Sequence, residues 1–379
     1  MEKMRHWQCR GDWTRLDTTR PDSLGPAREI SWQERPPAHH FTLDLQVRKG
    51  RFAMESVEPG LVKYTRPRLS AARIEEATAH ISAEFRDTPQ FLAESISEKM
   101  GCHIIVKVET VNPIRSFKAR GAQTFVSRLD HVSHVVCVTA GNFGQGMAYA
   151  ARSRGLPLTA FAKSDANRSK ISRISALGAD VSLVEGDLDK VYAAAKAFAD
   201  QCGALFVEDG REPAIAEGAG TIGIELMRWK EPIDAIVVPV GDGALLGGIG
   251  TYVKHTCADT RLIGVCARGA PAMERSWRTG RVQTHVPDTI ADGIAIQTPF
   301  AESLAELLHV ADDFLLVDEA TIGTAMRVAF LELGVLLEPA GAAGLAAIIA
   351  HQAVFRGKTV AVVLSGGNPS EEQLRQILA

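Results

Sequence analysis

The feature that most limits how this chain can fold is an alternation of short β-branched apolar runs with longer helical periods, sustained from about residue 89 onward. Parallel strands need a crossover long enough to hold a helix, and they end up buried on both faces. The pattern therefore predicts an α/β fold with a parallel sheet covered by helices. Strands are expected at Ile104–Val108, Val135–Thr139, Leu158–Phe161, Val181–Val184, Ala235–Val240, Leu262–Cys266, Phe314–Val317 and Val360–Leu364. Helices are expected at Gln145–Arg154, Lys170–Leu177, Leu188–Cys202 and Thr321–Leu333. A last helix is signalled by Ser370 as its cap, with Glu371 and Glu372 in its first turn.

The 379 residues, 46% hydrophobic, suffice for one large or two modest domains with full cores. A formal charge of -3 gives no basic footprint for nucleic acid. No apolar run approaches the roughly 18 residues of a membrane span, so neither nucleic acid nor a membrane is an expected partner. Cys9, Cys102, Cys137, Cys202, Cys257 and Cys266 are scattered, with no CxxC pair, and are read as reduced thiols of a cytoplasmic protein. Residues 1–53 hold three of the five tryptophans together with Pro21, Pro26, Pro36 and Pro37, and are expected to be poorly ordered. The composition changes near Met54, an alternative natural start.

In open α/β sheets ligands bind outside the carboxyl ends of the strands. Four turns at such ends stand out: Ser116-Phe117-Lys118-Ala119-Arg120-Gly121, Thr139-Ala140-Gly141-Asn142-Phe143-Gly144, Gly241-Asp242-Gly243-Ala244-Leu245-Leu246-Gly247-Gly248 and Ser365-Gly366-Gly367-Asn368. The third follows an apolar run and opens a helix, so its N–H groups can converge on an anion such as a phosphate. It is neither a Walker A loop nor a dinucleotide fingerprint. By itself it reads more readily as a tight strand-to-helix turn. Lys118 by itself reads as a solvated surface charge. A desolvated lysine, however, loses affinity for its proton, and the neutral amine can attack an aldehyde to form a Schiff base. Pyridoxal phosphate supplies both the aldehyde and the phosphate.

Ser116-Phe117-Lys118-Ala119-Arg120-Gly121-Ala122 resembles the Schiff-base motif of the threonine/serine dehydratase family of fold type II pyridoxal-phosphate enzymes, and the other turns follow in that family's order. The resemblance runs from about residue 89 to the end. It implies a cofactor bound to Lys118 in a cleft between two open, mostly parallel sheets. Phe117 lies beside it, Asn142 on its 3-oxygen, Gly241, Asp242, Gly243, Ala244 and Leu245 around its phosphate, and Ser365 on the pyridine nitrogen. It further implies that Thr139, Ala140, Gly141 and Phe143 receive the substrate, its carboxylate meeting backbone N–H groups and the Thr139 hydroxyl. Thr289–Gly293 and Leu337–Gly341 also resemble dehydratase segments, which makes Asp292 a candidate substrate contact and Glu338 a candidate supporting group. The implied activity is an ammonia-lyase forming a 2-oxo acid and ammonia from a small β-hydroxy amino acid such as threonine or serine. Lys118 would remove the α-proton, and the leaving hydroxyl would take its proton from the cofactor phosphate. A neutral hydroxyl such as Ser365 makes the ring a weaker electron sink than a carboxylate would, which suits β-elimination.

The sequence departs from the family pattern in places. Asp242 interrupts a run that is usually all glycine. It is expected to turn its side chain away from the phosphate, since such a loop binds through backbone. Phe143 replaces a common histidine and is expected to present an apolar wall to the substrate. Ala140 stands where serine racemases carry a serine. No carboxylate occurs in Cys266–Ala272, so the family's divalent-cation site is not expected, and no metal is. With 14 residues after Ser365, feedback through the C-terminal regulatory domain of biosynthetic threonine deaminases is not expected either. The chain is expected to divide into an N-terminal extension (1–88), a large domain (89–133 and 211–379) and a smaller inserted domain (134–210), and to form a homodimer. The alternatives are a β-replacement synthase of the cysteine-synthase type and a silent cofactor-binding partner subunit.

Overall fold

In the computed structural model, which describes Val62 and residues 67–378, the apolar runs pair into two sheets. The strands are β1 Gln90–Leu92, β2 His103–Val108, β3 Val135–Val138, β4 Leu158–Lys163, β5 Asp180–Val184, β6 Leu205–Val207, β7 Ala235–Pro239, β8 Arg261–Ala267, β9 Asp313–Val317 and β10 Thr359–Leu364. One sheet has the order β1-β2-β10-β7-β8-β9, the other β5-β4-β3-β6. Among these strands only the β1–β2 pairing is antiparallel. All eight expected strands form within a residue or two of their predicted limits. The short β1 and β6, three residues each, went unpredicted. The expectations for residues 1–53 and for Met54 lie outside the described residues.

The strands at the centre of the six-stranded sheet explain the continuous apolar runs. β7 is buried throughout and β10 is buried from its second residue on. One face packs under the helix Pro339–Ala350, with Val106, Val237, Val362, Ala343 and Leu345 in a shared core. The opposite face carries Ile236, Val238, Leu246, Ile249 and Leu262. The chain leaves this sheet after β2 through the helix Lys118–Ser127 and builds β3 to β6. It then returns through the helix Pro213–Leu226 to β7. Where these two helices meet there is no room for side chains: a Cβ on Gly218 would lie 2.4 Å from the Arg120 carbonyl.

The predicted capping of the last helix, Glu371–Leu378, is present and reciprocal. The Gln373 N–H donates to Ser370 Oγ at 3.1 Å and the Ser370 N–H donates to Gln373 Oε1 at 2.8 Å. Part of the supposed N-terminal extension is also anchored. The helix Ala71–Ala77 is capped by Ser70, and Arg73 reaches Glu217 on the helix Pro213–Leu226 at 2.5 Å.

Between β2 and these two helices lies a charged cluster that no apolar pattern announces. The Arg120 guanidinium, fully buried, donates to both oxygens of Glu109 at 2.9 Å, to Glu225 at 2.6 and 2.9 Å, and to Thr221 Oγ1 at 3.0 Å. Lys107 Nζ adds a 2.5 Å bond to Glu225 and a 2.8 Å bond to the Thr88 carbonyl. Burial pushes the Glu225 carboxyl upward, but Arg120 and Lys107 outweigh it and hold it at about 2. Removing Arg120 leaves Glu109 buried without its guanidinium partner and Glu225 with Lys107 alone. Arg120→Met is therefore expected to cost about 3–5 kcal/mol of unfolding free energy. Urea denaturation of the two proteins checks this, and a loss below about 1 kcal/mol would contradict it.

Candidate active site

Lys118 is the first residue of its helix, and the loop before it is held by side-chain bonds rather than by regular structure. Asn112 Oδ1 accepts the N–H groups of Ile114 and Ser116 at 3.1 and 3.2 Å, and its amide nitrogen donates back to the Glu109 carbonyl at 2.8 Å. The Phe117 N–H and Ser116 Oγ both donate to the Ser365 carbonyl, at 3.2 and 3.3 Å. Two turns 249 residues apart are thus fastened together, which follows from β10 lying beside β2 with Leu364 opposite Val108.

Three other helices start in the same region, Asn142–Ser153, Ala244–Thr256 and Pro339–Ala350. None of the four helices is capped by the side chain of its own N-cap residue. Their positive dipole ends favour anions there, although the N–H groups of Ala244 and Gly144 are already taken by Asp242 and Thr139.

Lys118 Nζ sits between two carboxylates, Asp209 Oδ2 at 2.5 Å and Asp242 Oδ2 at 2.9 Å, with the Phe117 ring centroid 5.0 Å away. Burial alone would strip the amine of its proton, but the two carboxylates outweigh it and raise Lys118 above the usual lysine value, which corrects the neutral amine expected from desolvation. The acids diverge. Burial, followed by the charge of Asp242, raises Asp209 above the usual carboxylate range. Burial is outweighed at Asp242, which Lys118 and the Ala244 N–H hold below that range. The expected orientation of Asp242 is thereby corrected. Its carboxylate points inward, because Lys118 offers a charge partner and Ala244 N–H donates to Oδ1 at 2.8 Å.

Asp209 was missed by the sequence reading. It follows β6 in the run Glu208-Asp209-Gly210-Arg211-Glu212, at a strand carboxyl end where ligands are expected.

A second cluster surrounds Asn142. Its amide nitrogen donates to Glu338 Oε1 at 2.5 Å, and its oxygen accepts from Asn368 Nδ2 at 2.8 Å. Arg173 Nη1 donates to Asn368 Oδ1 at 2.6 Å, and Lys170 pairs with Asp292. The helix Arg168–Ala176 thus ties β4 and β5 to the segments that carry Asp292 and Asn368. Asp292, expected as a substrate contact, is committed to Lys170. Glu338 fills the space beside Gly366, where a Cβ would lie 2.1 Å from its Oε1.

Thr139 Oγ1 accepts the N–H groups of Gly141 and Gly144 at 3.2 and 3.1 Å, so the Gly141 donor expected to face a substrate is held by this hydroxyl. Ala140 and Gly141 remain partly open in the turn. Phe143 is a correction: it is 6% exposed and packs with Met147, Ala148, Ile174 and Val207. As the second residue of its helix it points, like Met147 one turn on, into the core rather than the cleft.

The residues present fit pyridoxal phosphate. Lys118 is an enclosed amine for the aldehyde, the start of Ala244–Thr256 offers N–H groups to the phosphate, and Asn142 keeps a second amide hydrogen beyond its Glu338 bond. Asp209 Oδ1 is buried with no hydrogen-bond partner, a polar atom that a bound group would serve. Asp242 is the exception, since it already takes the Ala244 N–H and adds negative charge beside the phosphate loop.

Burial, reinforced by Asp292 and opposed by Lys170, pushes the Glu338 carboxyl up to about 7. The raised value means that the folded state favours the protonated acid. The cost of ionising it appears as pH rises from 4.5 and is complete above about 7. Glu338→Gln is therefore expected to gain stability relative to wild type over that interval, approaching about 3 kcal/mol. Denaturation at pH 5 and pH 8 checks this, and a gain that shrinks with pH would contradict it.

Residues 81–366 match the model of the family described as pyridoxal-phosphate dependent enzyme. The chain is similar to the L-threonine ammonia-lyase of Thermotoga maritima, 34% identical over 80% of this chain and 77% of that protein. It is also similar to the L-threonine ammonia-lyase of Geobacter sulfurreducens, 36% identical over 78% and 74%. Among solved structures, a threonine deaminase from T.th. superposes with a TM-score of 0.76 at 30% identity, covering 79% of this chain and 99% of that one. Maize serine racemase superposes with a TM-score of 0.77 at 27% identity, covering 82% and 97%. With its two mostly parallel sheets and its enclosed Lys118, the chain belongs to the pyridoxal-phosphate dependent enzyme family.

Proposed function

We propose that this protein is a pyridoxal-phosphate-dependent ammonia-lyase that converts a small β-hydroxy amino acid, threonine or serine, to a 2-oxo acid and ammonia. The observation that carries the reading is Lys118. It is a buried amine at a helix start, beside the phosphate-type loop and fastened to the Ser365 turn, in a chain whose relatives include L-threonine ammonia-lyases.

When bound, the cofactor supplies an electron sink conjugated with the substrate's α-carbon. The protein supplies the rest. Lys118 holds the cofactor and then takes the α-proton on Nζ. The N–H groups of the Gly241–Leu245 loop other than that of Ala244 would hold the phosphate, Asn142 would bond the 3-oxygen, and Phe117 lies beside Lys118. Ser365 would meet the ring nitrogen as a neutral partner. It therefore gives no carboxylate stabilisation to a protonated ring, and elimination is favoured over reactions that need a stronger sink. Ala140 and the N–H groups of Asn142 and Phe143 receive the substrate carboxylate, while Thr139 braces the turn by holding the N–H groups of Gly141 and Gly144.

The division into a large domain (89–133 and 211–379) and an inserted one (134–210) is supported by the two sheets, which draw on those two sets of residues. Cys102, Cys137, Cys202, Cys257 and Cys266 are free thiols, which suits a reducing cytoplasm. We assign the enzyme there, as a homodimer.

Purified protein incubated with threonine and with serine is expected to release a 2-oxo acid and ammonia in equal amounts from at least one of them. Lys118→Ala is expected to lose that release together with the visible absorption band of the bound cofactor. Release from neither amino acid by the wild type would overturn the reading.

A further inference from the structure

We propose that Asp209 is a second catalytic residue, the acid whose proton goes to the β-hydroxyl as it leaves, recharged afterwards from Lys118. The proposal rests on the ammonia-lyase reading and names the source of a proton that the sequence alone assigned to the cofactor phosphate.

Three observations carry it. Asp209 Oδ2 lies 2.5 Å from Lys118 Nζ, the atom that takes the α-proton, so a proton can pass directly between them. Asp209 Oδ1 is buried and receives no hydrogen bond, while Asp209 and Asp242 share a side-chain hydrogen bond that raises Asp209 and lowers Asp242, with Asp209 as its donor. And the two acids at the amine are not equivalent. Asp242 spends one oxygen on the Ala244 N–H and the other on Lys118, whereas Asp209 has no backbone donor on either oxygen. Two carboxyls whose surroundings push their proton affinities apart divide into a charge-holder and an acid. Asp209 also faces the buried Cys137 thiol of β3, which its charge pushes upward after burial does, and the Tyr192 phenol, raised by burial, then by Glu208 and then by Asp209. Its neighbours Glu208 and Arg211 pair with each other at 2.9 Å.

The step balances without further reactants. The α-C–H bond breaks, its proton going to Lys118 Nζ and its electron pair toward the cofactor. The β-C–O bond then breaks with its electrons on oxygen, which takes the Asp209 proton and departs as water. Finally the Lys118 ammonium returns a proton to the Asp209 carboxylate.

The test compares two leaving groups on one preparation. Chloride leaves β-chloroalanine without a proton, whereas hydroxide does not leave serine or threonine without one. Asp209→Asn, loaded with cofactor, is expected to show the absorption shift on adding the amino acid as the wild type does. Its ratio of 2-oxo acid release from the hydroxy amino acid to release from β-chloroalanine should fall about 100-fold or more. Because both substrates meet the same sample, incomplete folding or loading cancels from the ratio. An unchanged ratio, with release lost equally from both or from neither, overturns the assignment while leaving the ammonia-lyase reading intact. A wild type inert to serine and threonine overturns both.

Discussion

The structure depends on one buried charge. Arg120 lies two residues after Lys118 and lacks contact with water, so its geometry is set by its carboxylate partners alone. Ion clusters of this kind contribute little net stability, since desolvation offsets most of the attraction. Their effect is to exclude other arrangements, because any shift leaves a buried carboxylate unpaired. Glu109 belongs to the turn after β2, and Glu225 to the helix Pro213–Leu226, which begins four residues after Asp209. By gripping both, Arg120 fixes where the Lys118 helix starts relative to the turn that delivers Asp209. The separation of amine and acid is thus set by a cluster that never meets the substrate.

Around that fixed pair, positive helix ends and negative side chains share a small volume. Four helix starts attract a phosphate and a carboxylate, while Asp209, Asp242 and Glu338 oppose them. The opposition is reduced because two of the three acids are pushed toward their neutral forms. Only Asp242 is held ionised, and it is the one with a lysine and a backbone donor both in contact.

How much of this was legible in the sequence depended on length and direction. The eight longer strands were visible because burial on both faces forces continuous apolar runs. β6 was not, because three residues carry no period, and Asp209 was overlooked with the strand that precedes it. Lys118, Asn142, the phosphate-type loop and the Ser365 turn were legible as ordered motifs. The directions of Asp242 and Phe143 were not, since a motif records spacing and leaves rotamers to tertiary partners. For Asp242 the partner is Lys118; for Phe143 it is the core that also holds Met147. The Arg120 cluster was hidden for a related reason: Arg120 reads in sequence as part of a motif, while Glu109 and Glu225 belong to none of the motifs.

The two ends of the site are charged differently, and the difference bears on the chemistry. The Lys118 end carries two carboxyls and an ammonium, whereas the Ser365 end offers a hydroxyl and a Glu338 whose proton affinity lies near neutrality. With Ser365 as the proposed partner of the ring nitrogen, the bound cofactor would be a weaker electron sink than it would be beside a carboxylate. More of the barrier then falls on expelling the β-substituent, a step that only a proton can ease when hydroxide must leave. A site with a weak sink at one end therefore needs an acid at the other. Asp209, raised in proton affinity and within reach of the amine that would recharge it, meets that need.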